Sequence, residues 1–115
     1  MSNLNDIAEA LQAEMSAIND ARDKAITGSR ELIKHCSQAI RAIHRRDWGE
    51  VEQKFTLIKE KADELRAVVA DYPELYHSGY TQDALKEVVE AHITRAIIRE
   101  EALPSSQELN VEAST

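Results

Sequence analysis

Apolar residues recur every three or four positions along roughly the first forty residues of the chain. They are Leu4, Ile7, Leu11, Met15, Ile18, Ala25, Leu32, Cys36, Ile40 and Ile43. Alternating intervals of three and four are typical of one face of an α-helix. The pattern predicts a single helix over about 3–45, roughly 60 Å long, with Gly28 as its weak point. Because such a helix is longer than a small bundle needs, we expect part of its apolar stripe to pack on another chain.

Two further helices follow, over about 48–70 and 80–101. Asp47, with Glu50 three residues later, has the form of a capping box and starts the second helix. Its apolar positions are Val51, Phe55, Ile58, Ala62, Leu65 and Val69. Residues 73–79 form a connection, and a second capping pattern at Ser105 predicts a short fourth segment after Pro104. We therefore expect one all-α domain over 1–115, built as an antiparallel bundle of three long helices.

The third helix is apolar on nearly every side, except for one face that carries Asp83, Glu87, Glu90 and Thr94. A helix of this kind is usually enclosed by neighbours. Enclosed carboxylates lose hydration, and like charges one turn apart repel each other. They then need a cation, a basic neighbour, a retained proton or escape to solvent. Glu87 and Glu90 are therefore candidate ligands of Mg²⁺ and candidate catalytic residues, since such an ion can activate water. The alternative is a pair of structural or exposed glutamates.

The net charge of −7 argues against nucleic acid as a partner, but the charge is unevenly distributed. Residues 22–46 carry seven basic side chains against two acidic ones. On a helix, four of these fall within an arc of about 60° and span roughly 22 Å, with a histidine beside them. These candidate phosphate contacts are Arg30, Lys34, Arg41, Arg45 and His44. A line of cations can bind several phosphates and release their counterions. The alternative is a solvated face that pairs with acids of the second helix or of a partner subunit.

The remaining composition indicates a cytoplasmic protein. Cys36 falls on the apolar stripe, as expected for a small buried side chain in a reducing compartment. No basic segment followed by an apolar run marks a signal peptide at the start of the sequence. No apolar run approaches the length of a membrane span, so we expect no membrane partner.

Several runs of residues, taken in order, resemble the translin family, most closely its prokaryotic members and Trax, the translin-associated factor X. The runs are 39–45 (AIRAIHR), 72–76 (YPELY), 79–80 (GY), 84–91 (ALKEVVEA), 103–105 (LPS) and 108–109 (EL). The similarity extends over about 25–111. It corresponds to the N-terminal part of the family domain.

This resemblance implies a translin-like α-superhelix, incomplete in this chain, that assembles into homo-oligomers or into hetero-oligomers with a related subunit. It implies binding of single-stranded RNA or DNA. In Trax-type members it also implies Mg²⁺-dependent endoribonuclease activity, with two catalytic carboxylates in an E-x-x-E motif that matches Glu87 and Glu90. The other two lie in a later helix that this sequence does not reach, so we expect little cleavage from this chain alone. The family's basic nucleic-acid-binding segment corresponds to about 76–80, where His77 is the one basic residue.

Two classes of function follow from the sequence. The first is a single-stranded nucleic-acid-binding protein that contributes part of a Mg²⁺-dependent endoribonuclease site. The second is a non-catalytic helical module whose long first helix serves oligomerisation.

Overall fold

The structure, a computed structural model, describes residues 2–102 of the chain. Within this range it is all-α, as predicted. The helices are α1 (Ser2–His44), α2 (Trp48–Val69), α3 (Pro73–Tyr76) and α4 (Gly79–Ala102). The three long helices begin and end within one residue of the predicted bounds. The fourth segment predicted after Pro104, and the resemblance at 103–111, lie outside the described residues.

The long first helix is confirmed: α1 continues unbroken for 43 residues. Gly28 does not interrupt it. A methyl group added at Gly28 would lie 3.7 Å from Cδ1 of Leu65, which is an ordinary contact distance. The glycine is therefore not required by close packing between α1 and α2.

A tight turn at residues 45–47 reverses the chain between α1 and α2. The backbone N–H of Arg46 donates to the Ile43 carbonyl at 2.9 Å, and that of Asp47 donates to the Ala42 carbonyl at 3.0 Å. This pair of bonds is the Schellman arrangement, which places Arg46 in the left-handed region at φ 56°. The Asp47 carboxylate then accepts a hydrogen bond from the Glu50 N–H at 3.3 Å, so the predicted cap of α2 is confirmed.

The core lies between α1 and the two helices that flank it. All six predicted apolar positions of α2 are buried. In α1 the buried residues begin at Ala21 and continue to Ile43, and α4 contributes Ala84, Val88 and Ala91. Contacts of α1 with both α2 and α4 are extensive, whereas α2 and α4 touch at few points. We call the part formed by residues 21–102 the body.

Residues 73–79 were predicted as a connection, and the structure adds that this connection contains one helical turn, α3. Pro73 occupies the first helical position, where its missing N–H costs nothing. The side chain of Thr81, which is fully buried, donates a hydrogen bond to the Leu75 carbonyl at 2.8 Å. This bond ties the start of α4 to α3.

The prediction that α4 is enclosed on nearly every side is wrong. Val89, Ile93 and Ile97 are all more than half exposed. They lie opposite the buried positions Ala84, Val88 and Ala91, because the helices that contact α4 in the described range (α1, α2 and, at its start, α3) leave this face uncovered. The apolar composition of α4 was read correctly, but one of its apolar faces has no neighbour among residues 2–102.

The first part of α1 extends away from the body. Every residue from 3 to 20 is exposed, apart from the half-buried Ile18. We call residues 3–20 the N-terminal arm. It accounts for much of the 78 Å length of the molecule, which is only 30 Å by 18 Å in the other directions.

Candidate nucleic-acid interface

Four side chains of α1, together with one from the turn that follows it, point away from the core and form what we call the basic face. They are Arg30, Lys34, Arg41, His44 and Arg45, and all five are exposed. The face results from helical periodicity, since the positions between them (Leu32, Cys36 and Ile43) are buried against α2 and α4. The structure therefore places these predicted residues together on one surface.

Three cations of this face have no ion pair within residues 2–102: Arg30, Lys34 and Arg41. Arg45 differs, because it pairs with Glu50 at the start of α2. The alternative that the basic face is neutralised by the second helix thus holds for Arg45 alone. Exposed cations without partners keep their full charge available to a polyanion.

Most other cations of the molecule are paired, which sets the basic face apart. Their partners are acids one helical turn away or on a neighbouring helix. The paired cations are Lys24, Lys61, Arg66, Lys86, Arg95 and Arg99. Four further cations also lack ion pairs in the described range: Arg22 of α1, Arg46 of the turn after it, and Lys54 and Lys59 of α2. Arg22 lies outside the 60° arc of the basic face, and Lys54 and Lys59 span a shorter length of helix. Among residues 2–102, the longest row of unpaired cations on one helix face is therefore the one on α1.

His77 does not lie on the basic face. It follows α3 at the α2–α4 turn, where its ring meets the ring of Tyr76 edge-on at 4.9 Å. Together with Arg66 it lines a shallow concavity of about 360 Å³ at the end of α2. The structure does not bring His77 and the α1 cations together into one contiguous surface.

Glu87 and Glu90 occupy different environments. Glu87 is half-buried at the edge of the α1–α4 interface, whereas the Glu90 side chain is 48% exposed and lies 3.9 Å from the Lys86 ammonium. The expectation that both carboxylates are enclosed is therefore wrong for Glu90. The negative charge of Glu90 is compensated in two of the expected ways: the carboxylate is exposed to solvent, and it lies beside a basic side chain.

With the other side chains described in residues 2–102, these two carboxylates do not form a complete magnesium site. Mg²⁺ takes oxygen ligands and usually keeps several waters, so two carboxylates could supply part of a site. However, residues 2–102 contain no group of three or more histidine, cysteine, aspartate or glutamate side chains placed to hold an ion. A contribution of Glu87 and Glu90 to metal binding stays a prediction.

Cys36 lies near Glu87 in the interface between α1 and α4. The thiol is fully buried, and burial, followed by the nearby charge of Glu87, raises the pKa of Cys36 to about 11. The thiolate is therefore a minor species at neutral pH. The prediction that Cys36 is a small buried side chain is confirmed.

A second polar cluster, not foreseen from the sequence, lies between α2 and α4. The Arg95 guanidinium lies 3.8 Å from the ring centre of Phe55, and that of Arg99 lies 5.1 Å from Trp48. Glu52 accepts a hydrogen bond from Arg99 at 2.8 Å and lies 3.9 Å from Arg95. Because both cations are already paired and stacked, this cluster holds α4 against α2 and is less suited to bind an anion. In the sequence, the signal that could have predicted this cluster is the i, i+4 spacing of the two arginines.

His92 lies beside this cluster, with its ring 4.9 Å from that of Phe55. Burial of the ring, and after it the charge of Arg95, lowers the pKa of His92. Neutral His92 is therefore the form that the folded state favours.

No family model matches the sequence, and neither a curated protein nor a solved structure matches it. Among the helices of residues 2–102, none combines the length and apolar character needed to cross a bilayer. The resemblance to translin therefore rests on the quoted residues alone.

Proposed function

We propose that this chain binds the backbone of single-stranded RNA or DNA along the basic face of α1. The observation that carries the proposal is the row formed by Arg30, Lys34 and Arg41, which are exposed and without ion pairs in the described range. From Arg30 to Arg41 the row extends over eleven residue steps of one helix, or about 16 Å. Phosphates bound along it would release counterions, which is the main source of affinity for a nucleic-acid backbone.

The physical case favours backbone contact over base recognition. No Phe, Tyr or Trp side chain lies among the five residues of the basic face, and the imidazole of His44 is its one ring, so little stacking of bases on this surface is expected. Binding should accordingly depend weakly on base sequence and strongly on salt. The choice of a single strand over a duplex comes from the resemblance to the translin family, which implies single-stranded RNA or DNA.

The translin-like superhelix, a cytoplasmic location, and assembly into homo-oligomers or hetero-oligomers with a related subunit belong to the same proposal. They are supported by the resemblance in 39–45, 72–76 and 84–91. An antiparallel bundle of the three long helices belongs to the same proposal. The contact of Arg99, at the end of α4, with Glu52, near the start of α2, supports it. An oligomer would also bring several basic faces together, which would raise the avidity for one strand.

Fluorescence anisotropy with a labelled single-stranded RNA at low salt tests the binding. The variant Arg30→Gln/Lys34→Gln/Arg41→Gln should weaken binding at least tenfold. Its matched control is Lys24→Gln/Lys59→Gln/Lys86→Gln, which removes the same charge from exposed positions off the basic face. Equal loss in the two variants would mean that only net charge matters, and absent binding at low salt would refute the proposal.

The second candidate function, a non-catalytic oligomerisation module, is favoured by the exposed apolar residues of the N-terminal arm. It requires self-association without nucleic-acid affinity. The anisotropy measurement separates the two candidates, because only the first requires RNA binding by the wild type and its loss on neutralising the basic face.

A role of Glu87 and Glu90 in Mg²⁺-dependent RNA cleavage is a further part of the proposal, and we expect little or no cleavage from this chain alone. Incubation of the protein with single-stranded RNA and Mg²⁺ tests it. Cleavage that persists in both Glu87→Gln and Glu90→Gln would assign the activity elsewhere. These conservative changes leave the core intact, because neither side chain is fully buried.

A further inference from the structure

The N-terminal arm carries an apolar stripe that is largely uncovered in the described part of the chain. The stripe consists of Leu4, Ala8, Leu11, Met15 and Ile18. The three largest of its exposed side chains, Leu4, Leu11 and Met15, are 73%, 55% and 64% exposed. We call these five residues the arm stripe.

The arm stripe continues the face that packs the core of the body. In a seven-residue repeat, Ala8, Met15, Cys36 and Ile43 fall at position a, and Leu4, Leu11, Ile18, Ala25, Leu32 and Ala39 at position d. The members of this set from residue 25 onward are fully buried under α2 and α4, whereas those in the arm are exposed, apart from the half-buried Ile18. The arm therefore presents a coiled-coil seam without a partner helix.

The charges of the arm suit pairing with an identical helix. Positions e, which flank the seam, hold Asn5, Gln12 and Asn19, and Glu14 is the one charged residue at a flanking g position. The other arm acids, at positions b and f, point away from the seam: Asp6, Glu9 and Asp20. Two such arms can meet without bringing rows of like charge together. A strongly basic partner helix, by contrast, would find few acids beside the seam.

The shape of the molecule decides the orientation. From Ala21 onward the seam is covered by α2 and α4. In a parallel pair of arms, both bodies would lie at the same end of the pair and would collide. In an antiparallel pair the bodies lie at opposite ends. Leu4 then faces Met15 of the second copy, and Ala8 faces its Leu11. The paired segment of each arm therefore ends before the part of α1 that α2 and α4 cover.

We propose that the arm stripe binds the arm stripe of a second copy of this chain in an antiparallel pair. The inference deepens the oligomeric part of the proposed function by naming its surface, and it does not require nucleic acid. Because the contact involves about five turns of helix on each side, it lies at the small end of specific interfaces, and we expect a Kd in the micromolar range.

Sedimentation equilibrium of the full chain without nucleic acid tests the pairing. The wild type should dimerise over micromolar concentrations. Leu11→Glu places a charge in the seam and should raise the Kd at least tenfold. Ala13→Glu adds the same charge to the same arm at an outer f position and should leave the Kd unchanged. Both positions are exposed, so neither substitution disturbs the core. A wild type that stays monomeric, or equal effects of the two substitutions, would overturn the inference.

Disulfide cross-linking tests the orientation. The native Cys36 is buried and is therefore not expected to form cross-links of its own. When Leu4→Cys and Met15→Cys proteins are mixed under mild oxidation, the antiparallel pair should yield the mixed dimer. Two copies of Leu4→Cys should not cross-link, because eleven residues of rise, about 16 Å, separate their thiols in that pair. A Leu4→Cys homodimer would demonstrate a parallel pair, and a dimer without any cross-link would place the interface elsewhere. Either result refutes the proposed arrangement, and neither bears on RNA binding.

Discussion

Leu11 and Leu32 allow the same substitution to be compared at two places in one helix. Both occupy position d of the α1 seam, but Leu32 is fully buried and Leu11 is 55% exposed. Replacing Leu32 by alanine removes a fully buried side chain from the core and leaves a cavity behind. Such changes cost 2–5 kcal/mol, so we expect Leu32→Ala to lower the free energy of unfolding by about 3 kcal/mol.

Leu11→Ala should behave differently because the isolated chain leaves Leu11 largely in water. The lost contacts are few, and alanine gains a few tenths of a kcal/mol in helix propensity. At low protein concentration we therefore expect a change below about 0.5 kcal/mol, as for surface substitutions in general. At concentrations well above the dimer Kd the cost should grow, since the substitution then also weakens an interaction that stabilises the folded state.

Urea unfolding followed by circular dichroism, at protein concentrations a hundredfold apart, measures both effects. The midpoint for Leu32→Ala should fall by a similar amount at each concentration, with the slope unchanged. Only the difference between wild type and Leu11→Ala should depend on concentration. If Leu11→Ala were as costly as Leu32→Ala in dilute solution, the arm would have to be packed within a single chain, and the assignment of the core would be wrong.

Three further outcomes are expected. Gly28→Ala should raise the free energy of unfolding by up to about 1 kcal/mol in the same urea experiment, because the position is helical and has room for a methyl group; a loss of stability would show that the α1–α2 contact is closer than described. Cys36 should resist thiol reagents at neutral pH until the protein unfolds, since burial raises its pKa to about 11; rapid labelling of the native protein would contradict this. NMR titration should give His92 a pKa below its ordinary value of 6.5, because burial and then the charge of Arg95 disfavour its protonation. The stability contributed by neutral His92 should be complete above pH 6.5 and decline as the pH falls from 6.5 towards the lowered value. His92→Gln should remove that part of the pH dependence.

The body of the molecule was predictable because its signals are local. In α2 the apolar spacing identified every buried residue, and Asp47 identified the start of the helix. A helix joined to its neighbour by a three-residue turn must pack against it, so periodicity alone specifies which face is covered. The length of α1 was predictable for the same reason.

The environment of α4 was not predictable in this way. Its composition shows that most of its surface is apolar, but composition does not say which neighbours are present. Ile93 and Ala91 are similar residues two positions apart, and one is exposed while the other is fully buried. For the same reason Glu90 was wrongly predicted to be enclosed, whereas its side chain is exposed to solvent beside Lys86.

For the candidate site, the sequence predicted which side chains share one face of a helix. It did not predict which of their charges are paired. Helical spacing placed Arg30, Lys34 and Arg41 together on α1 before the fold was known. Whether an acid of another helix neutralises a cation depends on distances between helices, which the sequence does not give. The pairing of Arg45 with Glu50, and the absence of such pairs for the other three within residues 2–102, required the structure.

The salt dependence of RNA binding tests the central claim most directly. For single strands, the logarithm of the association constant falls by about 0.7 per phosphate contact for each tenfold rise in salt. If Arg30, Lys34 and Arg41 each contact a phosphate, replacing all three by glutamine should reduce this slope by about 2, while the control Lys24→Gln/Lys59→Gln/Lys86→Gln should leave it near the wild-type value. A slope that is the same in the wild type and in the basic-face variant would contradict the account.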